Sequence, residues 1–238
     1  VSARAPQALA LALADDAWLL RYADGDGAGI DDAINARVHA DAARLRASAP
    51  AWLRDLVPAY ASLAVFFDTG AIDAERVRAW LHDRLGADDT TMRIAAARTI
   101  EIPVVYGGED GPDLEAAAAE LGLTPQRLIE RHAAGEYTVA MIGFAPGFPY
   151  LSGLDPALAL PRLATPRTRV AAGSVAIGGA QTGIYPRDSP GGWRILGRTP
   201  LRLFDPAREP PTALLPGDRV RFRAIDAAAA AAIRDARA

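Results

Sequence analysis

From Tyr137 to Leu154 the chain reads Y-T-V-A-M-I-G-F-A-P-G-F-P-Y-L-S-G-L, and from Ala171 to Pro200 it reads A-A-G-S-V-A-I-G-G-A-Q-T-G-I-Y-P-R-D-S-P-G-G-W-R-I-L-G-R-T-P. Gly, Pro and aromatic residues are dense here, in a chain otherwise heavy in Ala and Arg. Gly allows positive φ and close backbone approach, and Pro fixes φ at about −65°, so the pattern is one of shaped turns. The apolar runs between those turns read as short strands: Thr138–Ile142, Arg169–Val170, Ser174–Ile177, Gln181–Ile184, Arg194–Arg198, Leu201–Phe204 and Arg219–Arg223. Their fairly regular spacing predicts a closed or nearly closed β-barrel. Pro216-Gly217-Asp218 is a turn of defined chemistry, with Pro at its second position and Gly at its third. Shaped loops on a rigid scaffold are where binding and catalysis concentrate, which places the functional surface in this segment.

N-terminal to the barrel the pattern changes. Trp18–Tyr22, Leu53–Pro58, Ser62–Phe67 and Arg98–Tyr106 read as strands. Asp31–Ser48 and Asp73–Leu85 carry apolar residues at helical spacing, the first capped by Asp31 or Asp32 and the second ended by Gly86. The order β-α-β-β-α-β predicts a ferredoxin-like domain over residues 1–106. Residues 107–135 read as a linker with two short helices, capped by Asp113 and Thr124. The barrel domain then occupies residues 136–238. The fold class is therefore α+β.

Composition limits the chemistry. In 238 residues the net charge is −3 and 50% are hydrophobic, which gives no electrostatic reason to seek nucleic acid. All 26 basic residues are Arg. Without Lys there is no ordinary P-loop, Schiff base or lysine general base. Without Cys there is no thiolate nucleophile, sulfur-ligated zinc or disulfide framework. No apolar run approaches the roughly 20 residues of a membrane span, and no targeting signal is visible; a cytoplasmic location is expected. The chain begins at Val1 rather than Met, which reads as trimming of a few residues. His39 and His82 sit on helices with no second ligand one turn away and read as surface residues, not metal ligands. His132 lacks an identifiable orienting carboxylate and reads as a satisfied helix-end residue.

Four blocks of the chain resemble a known family: Val57-Pro-Ala-Tyr-Ala-Ser-Leu-Ala-Val-Phe-Phe-Asp68, Ile102-Pro-Val-Val-Tyr-Gly-Gly-Glu-Asp-Gly-Pro-Asp-Leu114, Gly143-Phe-Ala-Pro-Gly-Phe-Pro-Tyr150, and Gly173-Ser-Val-Ala-Ile-Gly-Gly-Ala-Gln-Thr-Gly-Ile-Tyr-Pro186 running into Ser189-Pro-Gly-Gly-Trp193. The family groups the B subunits of 5-oxoprolinase, allophanate hydrolase subunit 1 and the Kip-type inhibitors of a sporulation histidine kinase. Ala171 departs from it, since the family usually has Pro before A-G-S. The resemblance implies a cyclophilin-like barrel after a small α/β domain. It implies one subunit of an ATP-dependent hydrolase that opens 5-oxo-L-proline to L-glutamate, acting with a C subunit (allophanate hydrolase subunit 2-like) and an ATP-using A subunit. ATP is then used by the assembled complex, and no cofactor is expected on this chain. Homologous pairs serve as a carboxyltransferase unit in urea amidolyase-type enzymes. The alternative is a Kip-type protein that docks on a histidine kinase and blocks its autophosphorylation. A peptidyl-prolyl isomerase is suggested by the barrel alone, a poor guide to activity.

The expected site is an aromatic-walled cleft built from Phe144, Pro146, Phe148, Tyr150, Tyr185 and Trp193, with Arg167, Ser174, Gln181 and Thr182 as polar contacts. Phe144, which follows a strand, could equally plug the barrel; Tyr185 and Trp193, in Gly/Pro turns, suit that role less. Arg167 and Arg169 could pair with a carboxylate or phosphate, or be solvated. No residue is assigned a catalytic step. The N-terminal domain, with an exposed sheet face, could pair with a copy of itself.

Overall fold

A computed structural model describes residues 9–23, 31–86 and 98–236. The chain divides into two compact units, Val1–Ala96 and Ala97–Ala238. In the first, strands β1 (Leu9–Ala14), β2 (Ala17–Arg21), β3 (Leu53–Pro58) and β4 (Ser62–Phe67) form an antiparallel sheet in the order β1-β2-β4-β3. Helices α1 (Asp32–Ala47) and α2 (Ala74–Gly86) bring Val38, Leu45, Val77 and Leu81 into a core with Leu63 and Val65. Asp31, not Asp32, caps α1: its carboxylate accepts from the Ala33 and Ile34 amides at 2.9 and 3.0 Å. That replaces backbone partners an isolated helix start lacks.

The strand expected to close this unit lies elsewhere. β5 (Thr99–Tyr106) runs parallel to a C-terminal strand, Arg219–Ala224, and belongs to the barrel. The first unit instead gains Leu9–Ala14, whose Leu/Ala alternation carries no apolar-polar contrast to mark a strand. The βαββαβ order and its boundary at residue 106 are corrected accordingly. Helices α3 (Leu114–Glu120) and α4 (Pro125–Ala134) also belong to the second unit, because Leu114, Ala117 and Leu128 share a core with the barrel strands.

The barrel adds β6 (Tyr137–Ile142), β7 (Pro149–Ser152), β9 (Ser174–Gly178), β10 (Gln181–Ile184), β12 (Arg194–Arg198) and β13 (Arg219–Ala224), closed in the order β10-β7-β6-β13-β5-β12-β9. Between them, β8 (Arg167–Val170) and β11 (Ser189–Gly191) pair as a separate ribbon, and α5 (Ala227–Asp235) follows β13. Leu201–Phe204 is not a strand; Phe204 makes only a lone bridge to Thr212. The turn before β13 forms as expected, with Gly217 at φ 88° and the Asp218 amide donating to the Leu215 carbonyl at 3.0 Å.

Alternation sorts the wall into two faces. Val175, Ile177 and Ile184 point into the lumen with Ile102, Leu151 and Val220, so these strands contribute to one core. Inside it lies His132, fully buried at the end of α4. The Thr182 hydroxyl donates to the Ala176 carbonyl at 3.0 Å, leaving its oxygen to accept from His132 Nε2–H at 3.0 Å. His132 Nδ1 then accepts from the Tyr106 hydroxyl at 2.8 Å, and the Tyr137 hydroxyl donates to the His132 carbonyl at 2.7 Å. The imidazole stacks on Phe222, centroids 4.7 Å apart. Every polar atom of the ring is satisfied as a neutral group, the arrangement that burial requires.

Burial holds the His132 pKa down, from 6.5 to about 3. The unfolded chain takes up this proton below about pH 6.5 while the folded chain refuses it until about 3, so this contribution to stability is complete above 6.5 and is lost as pH falls. Between about pH 6 and 4.5 this one group should lower unfolding free energy by about 1.4 kcal/mol per pH unit. Urea melts across that window should show the slope, and His132→Gln should flatten it. A His132 NMR resonance that titrates near 6.5 in the folded chain contradicts the account.

Candidate functional site

The outward face of the same wall carries the motifs. Ala176, Gly178 and Gly183 alternate with the lumen-facing residues of β9 and β10, and rings lie against them. A Cβ on Gly178 would stand 2.5 Å from Trp193 ring atoms, and one on Gly183 would meet Phe148 and Trp193 at 3.0 Å. A Cβ on Gly191 would collide with the Tyr185 hydroxyl. The glycines are slots for rings. Phe148, Tyr185 and Trp193, at 2%, 2% and 5% exposure, form a second buried cluster with Val170, Ala176 and Ile195. Phe148 sits at its centre, edge-on to Tyr185 at 5.2 Å and to Trp193 at 5.6 Å, and tilted over Tyr150 at 4.8 Å. Such edge-to-face pairs each add about 0.5–1.5 kcal/mol beyond burial.

The loop joining β6 to β7 is hydrogen-bonded at each turn. The Ala145 amide donates to the Gly143 carbonyl at 2.7 Å, a γ-turn centred on Phe144. The Phe148 amide donates to the Ala145 carbonyl at 2.9 Å across Pro146 and Gly147, with Gly147 at φ 80°, as a Pro-Gly turn requires. The Gly143 amide then donates to the Phe148 carbonyl at 3.1 Å. At the tip stands Phe144, 64% exposed and at φ 66°, the one non-glycine with positive φ among the described residues. For a bulky side chain this conformation costs about 1–2 kcal/mol, and the γ-turn with positive φ is strained in its own right. Phe144 touches the cluster at its edge, 5.5 Å from Phe148 and 6.4 Å from Tyr185 between centroids.

The structure thus brings Phe144, Phe148, Tyr150, Tyr185 and Trp193 together, and inverts their expected roles. Tyr185 and Trp193 are the buried rings, and Phe144 is the displayed one. None plugs the barrel; the cluster covers its outer wall. Thr182 faces the lumen and binds His132 and Ala176, so it is no cleft contact. Ser174 is buried at the start of β9, Pro146 is exposed at its turn, and Gln181 is half-buried opposite Gly178.

Arg167 and Arg169 both have carboxylate partners within the unit. Arg167 Nη2 donates to Asp113 at 2.6 Å, and Asp113 also accepts from the Ile195 amide at 2.7 Å. Asp113 therefore ties β8 to β12 instead of capping α3, where its side chain makes no cap bond. Arg169 donates to Asp188 at 2.8 Å. The Ala172 amide and then Arg169 hold the Asp188 carboxyl below its usual range. Sequence reasoning missed Arg162, whose guanidinium lies 5.7 Å from the Trp193 ring centroid. A Pro-Arg dipeptide outside the motifs carries no signal for it.

No group of three or more His, Asp or Glu able to hold a metal occurs among the described residues. His132 is committed to the core. A cavity of roughly 660 Å³ in the N-terminal unit, lined among others by Leu20, Arg37, Asp41, Arg78 and His82, contains no motif residue. No helix among the described residues is long and apolar enough to cross a membrane.

Comparison with known proteins locates this geometry in a family. Residues 9–214 match the family described as carboxyltransferase domain, subdomain C and D. The chain is 42% identical to the 5-oxoprolinase B subunit of Bacillus subtilis over 88% of its own length and 90% of the relative's. It is 51% identical to the protein of that name in Escherichia coli O157:H7, over 64% of this chain and 67% of the relative. The crystal structure of TTHA0988 superimposes with a TM-score of 0.76 at 40% identity, over 88% of this chain but only 40% of that longer one. The Kluyveromyces lactis urea amidolyase, at 19% identity, shares the fold with a TM-score of 0.72 over 97% of this chain and 16% of its own.

The ring slots make a direct prediction. Gly178→Ala should force Trp193 off the wall and destabilise the chain by about 1–3 kcal/mol, as overpacking does. Thermal melts should show the loss, and an unchanged melting temperature would mean that the indole does not rest on Gly178.

Proposed function

The chain belongs to the family of carboxyltransferase-domain subdomains C and D, and from that membership we propose that it is the B subunit of an ATP-dependent 5-oxoprolinase. In this reading the reaction, 5-oxo-L-proline to L-glutamate, occurs at a site shared with a subunit-2-like C partner, and an A subunit uses the ATP. The relatives named as B subunits of 5-oxoprolinase support the assignment. The chemistry of the chain supports the sharing. Its buried His132 is held neutral in the core, Asp113 and Asp188 are paired with Arg167 and Arg169, and the chain has neither Lys nor Cys. In this reading the chain supplies a recognition surface, and the groups that attack the amide come from the partner.

The observation that carries the proposal is Phe144. A fold that retains a phenylalanine at positive φ, and exposes it on a loop with each turn hydrogen-bonded, stores strain at a displayed aromatic. Strain of this kind collects at functional positions. Rigid exposed aromatics are typical anchors of protein interfaces. Phe148 and Tyr185 support the anchor from beneath.

The isolated chain should neither hydrolyse ATP nor open 5-oxoproline, and adding the partner subunits should restore glutamate formation. Turnover by the isolated chain at the rate of the complex contradicts the shared site. Phe144→Gly separates anchor from scaffold. It relieves the positive-φ strain, so the chain should melt no lower than wild type, yet assembly with the C-type partner should weaken at least roughly tenfold by co-purification or titration. Unchanged assembly would remove Phe144 from the interface.

A further inference from the structure

The barrel unit neutralises many of its arginines with its own carboxylates. Arg131 pairs with Asp155, Arg194 with Glu120, Arg223 with Glu101, and Arg167 and Arg169 with Asp113 and Asp188. Arg162 does not follow this pattern. Among the described residues no carboxylate pairs with it, although its guanidinium lies beside the Trp193 ring. Nor is it on a loose loop. The Leu163 amide donates to the Gly192 carbonyl at 2.7 Å, and Arg194 Nε donates to the Pro161 carbonyl at 3.3 Å. These bonds bracket Arg162 and fasten its loop to the turn and strand that flank Trp193.

The surroundings are suited to an anion. The Tyr150 ring centroid is 5.8 Å from that of Trp193. The charge of Arg162 offsets part of the burial that raises the pKa of both the Tyr150 and Tyr185 phenols, and Arg167 acts likewise on Tyr185. Arg167 also keeps Nη1 buried with no hydrogen-bond partner, while Nη2 holds Asp113. An uncompensated guanidinium against an indole matches a small planar anion. The guanidinium fork fits a carboxylate with two parallel hydrogen bonds, and the ring supplies an apolar flank.

We infer that Arg162, seated on Trp193, is a carboxylate subsite that selects acidic small molecules over their neutral counterparts. Resting on the function proposed above, the carboxylate it takes is that of 5-oxo-L-proline. Arg162 is then a substrate-binding residue that sets specificity, and the amide lies toward the partner's groups.

The test uses 5-oxo-L-proline and its uncharged carboxamide. In NMR titrations of the full chain, the Trp193 indole N–H signal should shift with the acid and not with the carboxamide, and the shift should vanish in Arg162→Ala. No shift, equal shifts with both compounds, or a shift retained in Arg162→Ala overturns the subsite. In the reconstituted complex, Arg162→Ala should raise KM for 5-oxo-L-proline about tenfold to a hundredfold, with kcat changed much less. Arg162→Lys, which keeps the charge and loses the fork, should fall between. Arg162 is exposed, so the melting temperature should not move. If the wild-type complex does not turn over 5-oxo-L-proline while the titration behaves as stated, the subunit reading fails and the subsite stands. If the complex is active and KM is unchanged in Arg162→Ala, the subsite fails and the subunit reading stands.

Discussion

From Tyr106 through His132 and Thr182 to the Ala176 carbonyl runs a hydrogen-bonded chain that joins β5, the end of α4, β10 and β9. It sits where no water would replace a lost partner, so each link must be made. By holding α4 against the lumen it fixes which residues of β9 and β10 face inward. The outward set follows from that choice, because a strand alternates. Ala176, Gly178 and Gly183 are presented to the other side, and the rings of Phe148, Tyr185 and Trp193 lie on them. The proposed recognition surface is in this sense the reverse side of the barrel core.

The two faces use opposite chemistry for related ends. The lumen is largely aliphatic with one satisfied polar chain; the outer cluster is aromatic, with small residues beneath the rings. Rigid rings on a bare backbone leave few alternative packings, and ribbon β8–β11 covers them with Val170. The loop tip can then hold Phe144 at positive φ because three hydrogen bonds over-determine its neighbours. Stability in the wall and strain at the tip are parts of one arrangement.

Much of this is legible in the sequence, and the failures have physical reasons. Most strands of the barrel and the Pro216-Gly217 turn are visible because local chemistry sets them, whereas β7, inside the Gly/Pro-rich motif, does not stand out as a strand. The motif density points to loops whose rings the structure gathers into one cluster. What Gly178 and Gly183 do can be read in principle, since small residues on one face of a strand mark where a ring lies. The placement of Thr99–Tyr106 cannot, because its parallel partner Arg219–Ala224 is over a hundred residues away and nothing local records that pairing. The roles of Phe144 and Trp193 are exchanged for a similar reason: a turn position says that a ring is nearby, not which side of it is covered. Asp113 reads as a helix cap until Arg167 and the Ile195 amide claim its carboxylate. Arg162 lies outside every motif, and its place beside Trp193 is what distinguishes it.

We propose that the outer barrel wall, with Phe144 at its tip, is the face this chain offers to another subunit. The most direct measurement replaces Phe144 with a photo-crosslinking phenylalanine analogue and irradiates the chain together with the subunit-2-like partner. The account predicts a covalent adduct between the two chains, with the same analogue at exposed Leu13 of the N-terminal unit as the control that does not form it. Efficient crosslinking from Leu13 and none from Phe144 would contradict it.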